Sequence, residues 1–94
     1  MNYEVLRSWT PGQGGTGMEI LVPESTAKTD ILKLAHNSYS RYSGQGMVVI
    51  LIYDSKEAWQ NRDNDAYPQA LYMKHFLVST ITGSVNWTAE GRDH

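Results

Sequence analysis

The chain has 94 residues, enough for one domain with a single sheet and one or two helices. Hydrophobic residues make up 40% and charged residues 19%, a balance that is typical of a globular chain and excludes a disordered one. The net charge is −2, and the eight Lys and Arg residues are dispersed. This pattern argues against nucleic acid as a main partner, because proteins that bind it concentrate basic residues on one surface.

Targeting and redox features indicate a cytoplasmic protein. No apolar run approaches the roughly 20 residues that cross a bilayer, so no membrane partner is predicted. The N-terminal "MNYEVLRSW" lacks the basic and apolar regions of a secretory signal. The absence of cysteine excludes disulfides and thiolate metal sites.

Two strands joined by a glycine loop are predicted at the start of the chain. The segment "NYEVLRSW" mixes β-branched and aromatic residues in alternation, which favours a strand. The segment "GMEILVP" predicts a second strand with Met18, Ile20 and Val22 on one face. Together they indicate a hairpin.

A long amphipathic helix is predicted next. Its apolar positions recur at helical spacing and define one face: Ala27, Ile31, Leu34, Ala35, Ser38, Tyr39 and Tyr42. Ser25 or Thr26 is expected to cap its start, and Gly44 is expected to close its end.

The run "MVVILIY" predicts the central strand of the sheet. Its side chains are apolar on both faces, which is typical of a strand covered on both sides. Asp54 or Ser55 is then expected to cap a short second helix through "KEAWQ".

The last third of the chain is ambiguous. Residues 69–75 suit a helix or a strand, and we prefer a long strand over residues 71–81 because β-branched residues dominate its second half. A turn at 82–84 would lead into a last strand at 84–88, and the polar residues 89–94 are expected to fray.

The order β-β-α-β-α-β-β predicts an α+β fold in a single domain of residues 1–94. It would have one mixed β-sheet of about five strands, one long and one short helix, and a two-layer sandwich with the helices on one sheet face. This topology places the two glycine loops side by side. It also brings the carboxyl ends of the second and third strands together at the opposite, lower edge of the sheet.

The spacing G-x-G-x-x-G occurs at residues 12–17, but its context excludes a dinucleotide loop. That loop requires a following helix, whose N-terminus holds the pyrophosphate, and a strand is predicted here instead. No acidic residue lies near Asn37, about 20 residues further on, to hold a ribose. The segment is interpreted as a hairpin loop, and no cofactor is predicted.

The lower edge is the better place for a ligand, because clefts in such sheets form outside the carboxyl ends of parallel strands. Ser25, Thr26, Asp54 and Ser55 would line it, although helix capping alone explains these residue types. His75 lies in an apolar strand, where packing is the favoured interpretation. It is nevertheless the one titratable group to test for acid–base work, and no catalytic residue is assigned.

No metal site is predicted. Asn61, Asp63 and Asp65 imitate the start of a calcium loop, but Ala66 stands where that loop needs glycine and Tyr72 where it needs glutamate. The three histidines also lack the spacing of a zinc site.

Aromatic residues are too plentiful for so small a core to bury completely. Rings with polar tips are common at protein interfaces. Six aromatic residues are therefore candidates for a contact surface: Trp9, Tyr39, Tyr42, Trp59, Tyr67 and Trp87. Partial burial at the margin of the core explains them equally well. The central strand would also leave one apolar face uncovered. Either a second subunit of a homodimer or the second helix folding underneath would cover it.

The succession "YEVL", a glycine loop, "MEILVP", a helix with "LA", and "VVILIYDSKEA" resembles small bacterial and phage α+β proteins classed as domains of unknown function. That resemblance implies no activity and no functional residue.

The sequence favours a non-catalytic protein-binding module, for example a phage or mobile-element inhibitor of a host protein, whose partner the sequence does not identify. One alternative is a small dimeric α+β-barrel enzyme in which His75, Tyr72 or Trp59 orients a substrate in an apolar pocket. Another alternative is a ligand-binding protein that uses the lower edge.

Overall fold

The computed structural model of the chain describes residues 2–11, 14–42, 46–79 and 85–92. Its elements in chain order are the strands β1 (Glu4–Trp9) and β2 (Gly15–Leu21), helix α1 (Lys28–Tyr42), strand β3 (Met47–Tyr53), helix α2 (Lys56–Gln60), a 3-10 turn (Gln69–Leu71), and the strands β4 (Met73–Ser79) and β5 (Val85–Gly91). The strands form one sheet in the order β1-β2-β3-β4-β5. The predicted α+β fold class and element order are therefore confirmed.

Strand β3 is the centre of this sheet, as its doubly apolar sequence predicts. It pairs in parallel with β2, because α1 carries the chain back across the sheet, and antiparallel with β4. The outer pairs, β1 with β2 and β4 with β5, are antiparallel. No described helix is long and apolar enough to cross a membrane.

The core lies between α1 and one face of the sheet. Its buried side chains come from three central strands, from α1 and from the segment after β2: Met18, Ile20, Val22, Ile31, Leu34, Ala35, Val48, Ile50, Ile52 and Leu77. The alternation predicted for β2 and the helical spacing predicted for α1 are both visible in this set. Burial of this apolar surface is the main favourable contribution to folding.

The start of α1 differs from the prediction. The helix begins at Lys28, and neither Ser25 nor Thr26 caps it; Ala27 precedes it instead. The N–H of Thr26 donates to the carbonyl of Pro23 at 3.0 Å, so a turn intervenes between the strand and the helix. The predicted helix end at Gly44 lies outside the described residues.

Helix α2 lies on the opposite sheet face from α1, which corrects the prediction that both helices share one face. Its Trp59 donates a hydrogen bond to Glu19, and Glu19 points away from α1 because its neighbours Met18 and Ile20 point toward it. Of the two predicted caps, Ser55 is the one used: its Oγ accepts from the N–H of Ala58 at 3.1 Å.

The end of the chain is more ordered than predicted. Residues 69–71 form a 3-10 turn, and β4 begins at Met73, two residues later than predicted. Residues 89–91 belong to β5 and do not fray. The register explains why, since Gly91 pairs with Met73 and the N–H of Arg92 donates to the carbonyl of Tyr72 at 2.7 Å. The predicted turn at 82–84 lies outside the described residues.

The two sheet edges are arranged as predicted where the structure describes them. At the upper edge, Gly15 pairs with Met47, so the ends of the two glycine loops are neighbours. At the lower edge, the N–H of Val22 donates to the carbonyl of Tyr53 at 2.9 Å. The carboxyl ends of β2 and β3 therefore meet there.

Candidate functional site

The sheet face opposite α1 carries a contiguous apolar patch on its two central strands, β3 and β4. Five side chains form it, and we call them the open face: Met47, Val49, Leu51, Phe76 and Val78. All five are only half buried. Val49 pairs directly with Val78, and Leu51 with Phe76, so the patch continues across both strands. A sheet face in contact with water usually carries polar residues, so this patch is unusual.

Beside Leu51 of the open face, on the neighbouring strand β2, the buried carboxylate of Glu19 joins three separate segments. Glu19 is 3% exposed. Its Oε1 accepts from Arg7 Nη1 at 2.8 Å, and its Oε2 accepts from Trp59 Nε1 at 2.8 Å. Arg62 Nε lies 3.3 Å from the same Oε2. The carboxylate thereby fixes β1, α2 and the following loop to β2, and these partners offset the cost of burying a charge.

Two cation–aromatic pairs surround this carboxylate. The guanidinium of Arg7 lies 4.9 Å from the centre of the Trp9 ring, and that of Arg62 lies 4.6 Å from the centre of the Trp59 ring. The Trp9 ring covers Gly17, where any side chain would collide with it. Both tryptophans therefore lie on the same sheet face as the open face, each held by an arginine.

Beside α2, a polar recess of about 180 Å³ is lined by Tyr53, Tyr67, Tyr72 and Lys74, among others. Lys74 Nζ lies 5.5 Å from the centre of the Tyr53 ring. Burial, and after it the nearby Glu19 carboxylate, raise the pKa of Tyr53 to about 12. This phenol therefore stays protonated at neutral pH, so it offers the recess a hydrogen bond rather than a base.

The six aromatic interface candidates do not form one surface. Tyr39, Tyr42 and Trp87 pack against the core on the α1 side of the sheet. Trp9 and Trp59 lie on the opposite side, and Tyr67 lines the recess beside α2. All six are half buried. The α1-side group packs at the core margin, whereas the other three lie on the same side of the sheet as the open face.

The lower edge of the sheet encloses a second recess, which we call the lower-edge cavity. Its volume is about 140 Å³, and three of the predicted edge residues line it: Thr26, Asp54 and His75. The other two do not. Ser25 is exposed before α1, and Ser55 caps α2.

Asp54 in this cavity is a buried structural carboxylate. Its Oδ1 accepts from the N–H of Met73 at 2.7 Å, and its Oδ2 accepts from Arg92 Nη2. Arg92 Nη1 also lies 3.8 Å from an oxygen of Glu24. These contacts connect the end of β3 to β4 and to the end of β5.

His75 contributes a buried imidazole to the same cavity. It is 3% exposed, and its Nδ1 has no hydrogen-bond partner among the described residues. The ring lies 5.6 Å from that of Trp87, between centroids. Burial, and after it the charge of Lys28, lower the pKa of His75, while Asp54 opposes the shift. The imidazole is therefore neutral at pH 7.

The lowered pKa of His75 makes stability depend on pH in a predictable direction. Below its unfolded-state pKa of about 6.5, the unfolded chain binds a proton that the folded chain resists, so acid favours unfolding. The free energy of unfolding should fall less between about pH 7 and pH 5 in His75→Phe than in the wild type. Urea titrations at both pH values measure this, with His36→Gln on the exposed face of α1 as the control. Equal slopes in wild type and His75→Phe would contradict it.

The residues that sequence reasoning missed are charged partners of buried carboxylates. Glu19 stands between apolar neighbours in a central strand, and that position alone signals a carboxylate in need of donors. Its ion-pair partners Arg7 and Arg62 carry no local signal. Arg92 falls in the tail that was expected to fray.

No group of three or more His, Asp or Glu side chains in the described ranges could hold a metal ion. Compared with known proteins, the chain matches no family model, no curated protein and no solved structure.

Proposed function

We propose that this chain is a non-catalytic protein-binding module whose contact surface is the open face, and that a second copy of the chain occupies it. The observation that carries the proposal is the half-buried apolar patch on β3 and β4. Helix α2 and the loop after it lie at the lower end of this sheet face, near Glu19 and Tyr53. The upper part of the patch is left for a partner.

The residue types around the patch support a protein contact. Aromatic residues, Met and Arg are enriched at protein interfaces. Met47 and Phe76 lie within the open face, while Trp9 with Arg7 and Trp59 with Arg62 border it. The bordering side chains are already held by each other and by Glu19, so they would lose little freedom on association.

The distribution of charge favours a second copy as the occupant. The open face itself contains no charged side chain. The charges near it are paired within the chain, Arg7 with Glu19 at 2.8 Å and Lys74 with Glu90 at 3.5 Å. A two-fold contact places each surface against itself, and like charges would then repel. An uncharged patch with neutralised borders avoids that repulsion.

Sedimentation equilibrium of the purified chain tests this proposal. The wild type should be a dimer at micromolar concentration, and Phe76→Lys should weaken the dimer by at least about tenfold, because each copy then places a charge in the apolar contact. Val78→Lys provides a second, independent variant on the same strand. Circular dichroism verifies that each variant is folded.

Leu32→Lys is the matched control, because Leu32 is an exposed apolar residue on the far side of α1. It should leave the dimer unchanged. A wild type that stays monomeric up to about 1 mM would overturn the proposal. Equal dissociation by Leu32→Lys and Phe76→Lys would overturn the placement of the contact.

The alternative of a barrel enzyme receives less support from the arrangement of its residues. His75 lies on the α1 side of the sheet, whereas Trp59 bonds to Glu19 on the other side. Tyr72 lines the recess beside α2. The three side chains do not converge on one substrate position.

A further inference from the structure

The lower-edge cavity is a separate feature that the open face does not explain. It lies between the first turn of α1 and the lower end of the sheet, with Thr26, Lys28 and Ile31 on one side and Met73, His75 and Ala89 on the other. It is therefore on the far side of the sheet from the open face. A ligand here would leave the proposed dimer contact untouched.

A buried imidazole without a polar partner and an exposed lysine meet at this cavity. Only 3% of the surface of His75 is exposed, and its Nδ1 has no hydrogen-bond partner among the described residues. Leaving such an atom unpaired in the protein interior is unfavourable. No described carboxylate forms an ion pair with Lys28. Both side chains line the same space.

The N-terminus of α1 also favours an anion at this end of the cavity. The carbonyl of Ala27 accepts from the N–H of Asp30 at 3.0 Å, but its side chain has no oxygen that could cap the remaining first-turn N–H groups, and no described side chain replaces it. The N-terminus of a helix carries a partial positive charge and binds anions readily. Together with Lys28, it makes one end of the cavity favourable for a carboxylate.

The two acidic side chains in the cavity wall do not remove this preference. Asp54 already accepts from Arg92 and from the N–H of Met73. Glu24 is 77% exposed and faces Arg92. Both carboxylates are therefore paired with Arg92, whereas Lys28 forms no ion pair with a described residue.

The rest of the wall is apolar and sets the size of the ligand. Ile31, Met73 and Ala89 provide it. The volume of about 140 Å³ is close to that of cavities, about 150 Å³, that hold benzene, a molecule of about six heavy atoms. Butanoate has the same number of heavy atoms and joins a carboxylate to a short apolar chain.

We infer that the lower-edge cavity binds a short-chain monocarboxylate. The carboxylate lies at Lys28 and the first turn of α1, and the apolar chain lies against Ile31 and Met73. The neutral imidazole of His75 completes the polar end.

Nuclear magnetic resonance titration with sodium butanoate tests this inference, with sodium chloride at equal ionic strength as the baseline. Amide resonances at the start of α1 and the His75 ring resonances should shift in a saturable way. Butanamide, which has the same shape without the charge, should bind at least about tenfold more weakly. Lys28→Met should weaken butanoate binding by a similar factor, whereas Lys33→Met, an exposed lysine of the same helix, should not.

A second variant removes the space rather than the charge. Ala89→Leu adds volume at the cavity wall and should abolish the butanoate shifts in a chain that remains folded by circular dichroism. The inference is overturned if butanoate gives no saturable shifts, if butanamide binds equally well, or if Lys28→Met and Lys33→Met behave alike. Loss of dimerisation in Phe76→Lys would not affect any of these results.

Discussion

Replacing Glu19 with Ala should lower the free energy of unfolding by about 2–4 kcal/mol. The carboxylate is almost fully buried and accepts from Arg7 and Trp59, with Arg62 close by. Its removal leaves two donors without their acceptor and Arg62 without its ion-pair partner. The arginines can turn to water because their side chains are 49% and 30% exposed, which keeps the loss below that of a fully buried pair.

Urea titration at neutral pH measures this loss, and the fluorescence of Trp59 should change with it because the indole loses its hydrogen bond. Glu4→Ala is the control, since Glu4 is exposed on the edge strand and forms no ion pair with a described residue. That change should stay within about 0.5 kcal/mol. A loss below about 1 kcal/mol in Glu19→Ala would mean that the carboxylate does not anchor α2 and β1.

Ile52→Ala should be the second strongly destabilising change, at about 2–5 kcal/mol. Ile52 lies on the central strand, is fully buried and faces α1 within the core cluster. Strands on both sides of β3 hold its backbone in place, so the surroundings cannot collapse fully into the space. The cost therefore includes a cavity as well as lost burial.

Leu51→Ala is the matched comparison, because Leu51 is the preceding residue and points to the half-buried open face. At a protein concentration where both variants sediment as monomers, it should destabilise the chain less than Ile52→Ala. Denaturant unfolding of both variants at one low protein concentration provides the measurement. Equal losses would show that both faces of β3 are equally enclosed, contrary to the burial described above.

The elements of the fold could be predicted because periodicity is a local property of the sequence. Met18 and Ile20 alternate with Glu19 along β2, and the apolar run of β3 predicts a central position in the sheet. Helix α1 followed from its apolar spacing. The pairing of strands then followed from short connections and a single crossover.

The errors came from contacts between distant residues. The fraying predicted after residue 88 fails because Arg92 is held at Tyr72 and Asp54, both far away in sequence. The side of the sheet taken by α2 is set by the bond between Trp59 and Glu19, 40 residues apart. No local pattern encodes such partners.

The candidate sites, too, were predictable where local topology places them and unpredictable where distant side chains complete them. The lower edge could be located from topology, since strand ends and helix starts meet there, and Thr26, Asp54 and His75 do line one cavity. The cationic side chains around it could not, because a lysine on a helix looks the same whether it faces water or a cavity. The open face is predicted only as a side of β3 that a second subunit or the second helix must cover, and the structure places the second helix on that side.

The strand order has a consequence for how the chain reaches its final state. Each strand pairs only with the strands next to it in sequence, and α1 makes the single crossing between parallel neighbours. The sheet can therefore be assembled stepwise from one end to the other as the polypeptide emerges during synthesis. No later segment has to insert between strands that have already joined, so each addition leaves earlier hydrogen bonds intact.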